Sequence, residues 1–270
     1  MKNSFIMLTY NQQKFVAEAV WAALAQEGPA LEIILSDDCS TDHTFEIIQE
    51  TVAGYTGPHR VVLNRNLVNI GVVANIRKAY EMSHGEILIA ASGDDISLPD
   101  RSWRTVSEFE KKAVWLIHSH AHCIDMDGKD AASTYLSARL VATAGTTPDL
   151  KRVAVARGLY LGATAAFHRN LFRKYGYLSN PLAYEDLVYG FRAALEGRIG
   201  FIDRPLIKYR VGSGVSTSHI GGVPEARRKA EINTLRSFAA VLAQRRRDSD
   251  RFGLPVSDPI RRAIQKRRKF

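Results

Sequence analysis

Three observations predict an α/β fold with an open, mostly parallel twisted sheet flanked by helices and a helical extension at the C-terminus. Over residues 1–120, short apolar runs alternate with segments whose apolar residues recur at helical spacing. The runs end in turn- and cap-type residues, and the resulting β-α-β-α-β-α-β order requires parallel strands with right-handed crossovers. The chain has 270 residues, 46% of them apolar and 24% charged, which suits one large α/β domain with an appendage.

Phe5-Ile6-Met7-Leu8 reads as the first buried strand. Gln12 to Leu24 follows as a helix, with Val16, Val20, Ala23 and Leu24 on one face. Leu31 to Leu35 is the second strand. Ser40-Thr41-Asp42 then supplies cap-type residues for a helix carrying Phe45, Ile47, Ile48 and Val52. Val61-Val62-Leu63 is the third strand, Asn75 to Met82 the third helix and Ile87 to Ala91 the fourth strand.

Beyond Asp100 the spacing predicts a helix over Arg101 to Lys112 and a strand over Val114 to His118. The pattern weakens over 121–158, which reads as loops across one face. Leu159 to Phe167 reads as a strand and Tyr184 to Leu195 as a helix. Gly200 to Ile202 and Leu206 to Tyr209 are strand pieces, and 225–244 is an amphipathic helix. Past Gln244 the chain is basic and is expected to be loosely ordered. Residues 1–216 form one expected domain, with one half over 1–100 and the other over 101–216. Residues 217–270 form the basic helical extension.

The net charge of +9 is concentrated at the C-terminal end, in Arg227-Arg228-Lys229, Arg245-Arg246-Arg247, Arg261-Arg262 and Lys266 to Lys269. Such a tail suits an anionic membrane surface or a solvated helix. A nucleic-acid-binding module would leave the acidic motifs without a role, so no nucleic acid is expected. Cys39 and Cys123 are too few for a disulfide framework or a thiolate metal site. The apolar run in MKNSFIMLTYNQQ is too short for a signal peptide. The expected location is therefore cytoplasmic, peripheral at most on the inner membrane face.

The segment AASGDDISLPD sets Asp94 and Asp95 side by side at the end of a buried strand. Two adjacent carboxylates there need a positive partner. The turn after the first strand, Thr9-Tyr10-Asn11-Gln12-Gln13, lacks the glycines of a dinucleotide fingerprint, and no GxxxxGK[ST] occurs. A hard divalent cation, Mg²⁺ or Mn²⁺, shared between one or two carboxylates and a substrate diphosphate would meet the need. The competing reading makes Asp95 a cap for the helix after Pro99.

Five segments in order resemble family 2 of the glycosyltransferases, which have the GT-A fold: FIMLTYNQQKFVAEAVWAALAQ, EIILSDDCSTDHTFEII, NRNLVNIGVVANIRKAYEMSHGEILIAASGDDISLPDR, YEDLVYGFRAALEG and LIKYRVGSGVS. The resemblance spans residues 3–216. It implies inverting transfer of a sugar from a nucleoside-diphosphate sugar, UDP-linked by expectation, to the hydroxyl of a saccharide or lipid-linked acceptor in cell-surface polysaccharide or glycolipid assembly. Carried over by position, Asp38 hydrogen-bonds the base, and the Leu8 backbone with Thr9 and Tyr10 lines the nucleoside pocket. Asn75 belongs to the donor-binding set. Asp94 is the last acid of the DxD metal motif and Asp95 follows it as a second ligand. Asp186, after Glu185, is the general base. Arg210 and Lys208 would add positive charge near the diphosphate.

The departures from the family pattern are Ser92 for the first DxD acid, Gly212 for a metal-facing His with His219 nearby, and Leu8 where Pro is common. His118, His120 and His122 alternate along one strand and are expected to line an acceptor pocket or the surface rather than bind metal. Trp21, Trp103 and Trp115 are expected in the core or a groove. A nucleotidyltransferase on a related sheet is the alternative enzyme; its glycine-rich, basic loop is absent.

Overall fold

The computed structural model describes residues 2–135, 149–212 and 224–267. His219 lies outside the described residues. Four strands, β1 (Asn3–Thr9), β2 (Glu32–Asp37), β3 (Arg60–Arg65) and β4 (Ile87–Ser92), pair in parallel in the order β3-β2-β1-β4. They alternate with α1 (Val16–Leu24), α2 (Thr44–Ala53) and α3 (Val72–Met82), as the periodicity predicts. The chain steps outward from β1 to β3 and then returns to the other side of β1. The crevice between the ends of β1 and β4 is therefore the topological switch point, where open α/β sheets place ligands.

The second half of the sheet is mixed. A short β5 (Ile96–Ser97) precedes α4 (Arg101–Lys111). Next come β6 (Leu116–Ile124), β7 (Asp130–Tyr135), α5 (Leu150–Val155), β8 (Ala166–His168), α6 (Asn170–Tyr175), α7 (Glu185–Leu195) and β9 (Ile199–Arg210). The sheet continues β4-β8-β6-β9-β5, with β7 pairing β6. β8 is antiparallel to β4 and β6, whereas β9 runs parallel to β6.

Three expectations need correction here. The stretch from 121 is not all loop: β6 runs on to Ile124 and turns back into β7 around Gly128, whose φ of 79° suits glycine. Leu159–Phe167 is mostly not strand; a 3-10 turn at Gly162–Thr164 precedes a three-residue β8. Residues beyond Gln244 are not loose. α8 (Pro224–Phe252) continues through them, and α9 (Pro259–Arg267) follows.

The period-2 pattern of the strands divides the core between two faces. Ile6, Ile34 and Leu88 point to the side covered by α3, α5, α6, α7, α8 and α9. Phe5, Met7, Ile33, Leu35 and Ile89 point to the side covered by α1 and α2. The C-terminal helices are part of the first core: Phe238, Val241, Leu242, Ile260 and Ile264 are buried in it. Arg192 of α7 and Asp248 of α8, both buried, form an ion pair at 2.9 Å. Among the tryptophans, expected in the core or a groove, Trp21 on α1 and Trp103 on α4 are exposed.

Candidate active site

The site grows from turns that lock onto one another. Asn11 takes φ 51°, a left-handed conformation that Asn tolerates better than most residues. That turn sends the Asn11 amide to Ser40 Oγ at 2.9 Å and lets Asn11 Oδ1 accept from the Thr41 amide at 2.9 Å. Gln12 donates its amide to Thr44 Oγ1 at 2.7 Å, so the first turn delays α1 to Val16 instead of Gln12. Gly93 completes the junction with β4: a Cβ there would stand 2.6 Å from both Thr9 Cγ2 and Gln12 Oε1. A side chain at this position would force Thr9 and Gln12 to shift.

At the end of β2, buried Asp37 accepts from Thr9 Oγ1 at 3.1 Å and from the Ser40 amide at 2.9 Å, which makes it a turn-holding acid. Asp38 accepts from the amides of Ile70 (2.9 Å) and Gly71 (2.8 Å) and from Asn66 Nδ2 (2.8 Å). It thus draws the 66–71 loop over the end of the sheet. Tyr10 is exposed and Leu8 half-buried at the same edge, while Thr9 is buried against Asp37.

Asn75 joins α3 to β2 through hydrogen bonds within the protein. It is 2% exposed, and its amide is taken up by Ser36 Oγ (2.7 Å), Ser36 O (3.2 Å) and Asn66 (3.1 Å). It positions β2 against α3 and, through Asn66, supports Asp38.

Ser92 donates its hydroxyl to Asp94, so a neutral donor stands where a carboxylate is common. Asp95 does not cap the helix after Pro99. Its Oδ1 accepts from the Arg210 amide at 2.9 Å. Burial, with Asp94 beside it, pushes the Asp95 carboxyl up to about 8, opposed by that bond and by Arg101 and Arg210.

Arg210 is likewise bonded within the protein. Its buried guanidinium donates to Asp94 O (3.1 Å), Asp125 O (2.9 Å), Met126 O (3.3 Å) and Glu18 (2.9 Å), and it lies over the Phe15 ring. The positive charges that act on Asp95 are thus arginines of the protein itself, Arg101 and Arg210.

Among the described residues, no group of three His, Cys, Asp or Glu side chains gathers to hold a metal. The donor set fits a divalent ion bound by one carboxylate, Asp94, and completed by phosphate oxygens; it does not fit an all-protein cage.

The second acidic pair opens α7. Glu185 and Asp186 are half-buried in its first turn, and Asp186 Oδ1 accepts from the Leu187 amide at 2.7 Å. Burial pushes both carboxyls upward, and their proximity adds to the effect on Glu185. The turn at Gly162 packs on them: a Cβ on Gly162 would stand 3.6 Å from Asp186 Cβ and from Glu185 Oε1. The next residue connects this pair to the first one. Arg101 Nη2 donates to Ala163 O (2.9 Å) and to Ala90 O (2.6 Å), while its charge favours ionised Asp95. The Gly162–Ala163 turn therefore meets Arg101, whose charge acts on Asp95, on one side and the acids of α7 on the other.

Of the alternating histidines, His118 is buried between the rings of Tyr160 (5.5 Å) and Phe201 (4.9 Å). Burial pulls it down to about 3, so it is neutral. His120 pairs with Asp203 at 2.9 Å, and His122 is exposed. Sequence reasoning missed Arg101, Tyr160 and Arg245. Arg245 looked like one of a tail triplet, although Val241, Leu242, Arg245, Asp248 and Ser249 recur on one helical face.

The chain is similar to known proteins in sequence and in fold. Over 110 residues the chain is 34% identical to EpsE of Bacillus subtilis, a protein named among the glycosyltransferases; the match covers 41% of this chain and 39% of EpsE. It is 26% identical over 133 residues to the succinoglycan biosynthesis protein ExoO of Rhizobium meliloti, covering 47% of this chain and 35% of ExoO. The chain thus matches well under half the length of either relative. Among solved structures, S. aureus TarS in complex with UDP-GlcNAc superposes with a TM-score of 0.64 at 19% identity, over 93% of this chain and 71% of that one. The likeness shows the shared GT-A fold. The profile of glycosyl transferase family 2 matches residues 4–176, and the chain belongs to that family.

Proposed function

We propose that the protein is an inverting sugar transferase that uses a nucleoside-diphosphate sugar, UDP-linked, with Asp186 as general base. The observation that carries this reading is the Gly162–Ala163 turn, which meets Arg101, whose charge acts on Asp95, on one side and Glu185-Asp186 on the other. The donor would lie in the crevice at the ends of β1 and β4, its base reached by Asp38 and its nucleoside lined by Leu8, Thr9 and Tyr10. S. aureus TarS holding UDP-GlcNAc on the same fold supports that placement. Residues 1–100 would serve the donor and 101–216 the acceptor, with α8 and α9 packed on the second half.

The acceptor hydroxyl is too weak an acid to ionise beforehand. Its oxygen attacks the anomeric carbon as the bond from that carbon to the β-phosphate oxygen breaks. The hydroxyl proton passes to Asp186, and the nucleoside diphosphate departs. A carboxyl raised by burial suits this role, because it accepts a proton near neutral pH more readily than a solvated aspartate. Mg²⁺ or Mn²⁺, held by Asp94 and the donor phosphates, would supply Lewis-acid stabilisation of the leaving group. Arg210 and Arg101 keep the acids in place.

ExoO is named for succinoglycan biosynthesis, which supports an acceptor in surface polysaccharide assembly, saccharide or lipid-linked. No helix among the described residues is long and apolar enough to cross a membrane. The exposed Arg228, Lys229, Arg246, Arg247, Lys266 and Arg267 suit peripheral attraction to anionic lipid. Flotation with anionic vesicles tests that part: the double variant R246E/R247E binds less, and equal binding refutes it.

The donor reading is tested by thermal shift with UDP, UDP-GlcNAc and GDP-mannose, each with and without Mn²⁺. UDP-containing ligands are expected to raise Tm, more so with Mn²⁺, and D94N is expected to abolish the Mn²⁺ increment. No shift with any nucleotide would overturn it.

A further inference from the structure

Arg245 belongs to a helix that the sequence marks as a basic tail, yet it is 0% exposed. Its Nη1 donates to Ala154 O (3.1 Å) and Ala156 O (3.0 Å) at the end of α5. Its Nε and Nη2 donate to Leu187 O at 3.3 and 2.9 Å. Leu187 follows Asp186, so the guanidinium grips the first turn of α7 one residue from the candidate base. A buried guanidinium must have its N–H groups bonded, and here the partners include the carbonyl next to Asp186. Three carbonyls from two elements converge on Arg245, and Arg192 with Asp248 forms a separate ion pair beside it.

We propose that Arg245 is the positioning residue of Asp186: supplied by the C-terminal helix, it fixes the start of α7 and holds a permanent positive charge beside the base. The proposal rests on the reading of Asp186 as general base. It makes α8 a component of the active site, with Arg245 serving the reaction and its exposed neighbours Arg246 and Arg247 facing solvent.

The charged and titratable groups around Asp186 are Glu185 on its own helix, Arg245 from α8 and Tyr160 from the segment before the Gly162 turn, with Asp248 next to Arg245. Glu185 and Tyr160 disfavour a second negative charge or add none at neutral pH, and Asp248 is matched by Arg192. The Leu187 amide bonded to Asp186 favours its ionised form first, and Arg245, which grips that same residue's carbonyl, is the charged side chain that adds to it. Without Arg245, Asp186 would hold its proton to higher pH and fail as a base at the acid end of the profile.

The test is a ¹³C NMR titration of labelled aspartate, with Asp186 assigned by the resonance missing in D186N, run on the full chain as wild type, R245Q, R245K and R246Q. Gln keeps donors but loses the charge, and Lys keeps the charge but loses the fork. In R245Q the Asp186 midpoint is expected to rise by about one pH unit, the low end for loss of a close opposite charge. In R245K and R246Q it stays at the wild-type value.

Turnover of UDP-GlcNAc or GDP-mannose, whichever stabilises the protein more, is followed alongside by nucleoside-diphosphate release. The acid limb of kcat moves with the midpoint in R245Q. R245K loses at least about tenfold in kcat, with donor KM within about twofold. An unchanged Asp186 midpoint in folded R245Q overturns the proposal. If R245Q does not fold, R245K decides: wild-type kcat overturns the proposal, and loss of fold in both variants assigns Arg245 to folding alone and overturns it too. Full turnover by D186N would instead refute the reading of Asp186 as base and would leave any measured Arg245–Asp186 coupling intact.

Discussion

Arg210 donates its backbone amide to Asp95 at 2.9 Å while its side chain holds the Asp94 carbonyl, so the end of β9 clamps the turn after β4. R210M would leave the carbonyls of Asp94, Asp125 and Met126 without their buried donor. The expected loss is about 3 kcal/mol in urea denaturation, together with weaker nucleotide binding. R210K is expected to recover less than half, because an ammonium cannot reproduce the fork. Wild-type stability in R210M would refute the clamp.

The Arg192–Asp248 pair predicts that α8 cannot be trimmed freely. D248A leaves a buried guanidinium charge unpaired and should cost about 3–5 kcal/mol by chemical denaturation. Truncation after Gln244 removes both Arg245 and Asp248 and should abolish cooperative unfolding. A truncated chain as stable as the full one would show that α8 is dispensable.

Gly93 predicts a steric effect at the donor crevice. In G93A the added Cβ collides with Thr9 and Gln12, for an expected cost of about 1–3 kcal/mol and a higher Kd for UDP. Calorimetric titration with unchanged affinity would contradict the tight β1–β4 junction.

His118 predicts acid sensitivity. Its folded midpoint, about 3, lies below the unfolded value near 6.5. Below pH 6.5 the unfolded chain takes up a proton that the native state refuses, so stability falls as pH drops towards 3. The contribution to the slope approaches about 1.4 kcal/mol per pH unit. H118F should flatten that part of the profile between pH 6 and 4, measured by denaturation at each pH.

The parallel half of the fold was legible because its strands are short apolar runs and each helix carries a clear stripe, as with Val16, Val20, Ala23 and Leu24. The second half was less so. β7, the Gly162 turn and the three-residue β8 owe their conformations to partners distant in sequence, which local periodicity does not encode. In the site, the motif order singled out Asp38, Asp94 and Asp186. It also singled out Asn75 and Arg210 but not the protein groups that bond them, because an amide or guanidinium in a motif carries no sign of its partners in the fold. Arg245 was hidden for the same reason, inside a triplet whose other two members are exposed.

The most direct test of the account is single-turnover nucleoside-diphosphate release by D186N beside donor binding by titration. The account predicts donor affinity within about twofold of wild type and a loss of at least about 10²-fold in rate, the lower bound for removing a general base. A D186N enzyme that turns over at the wild-type rate would contradict it.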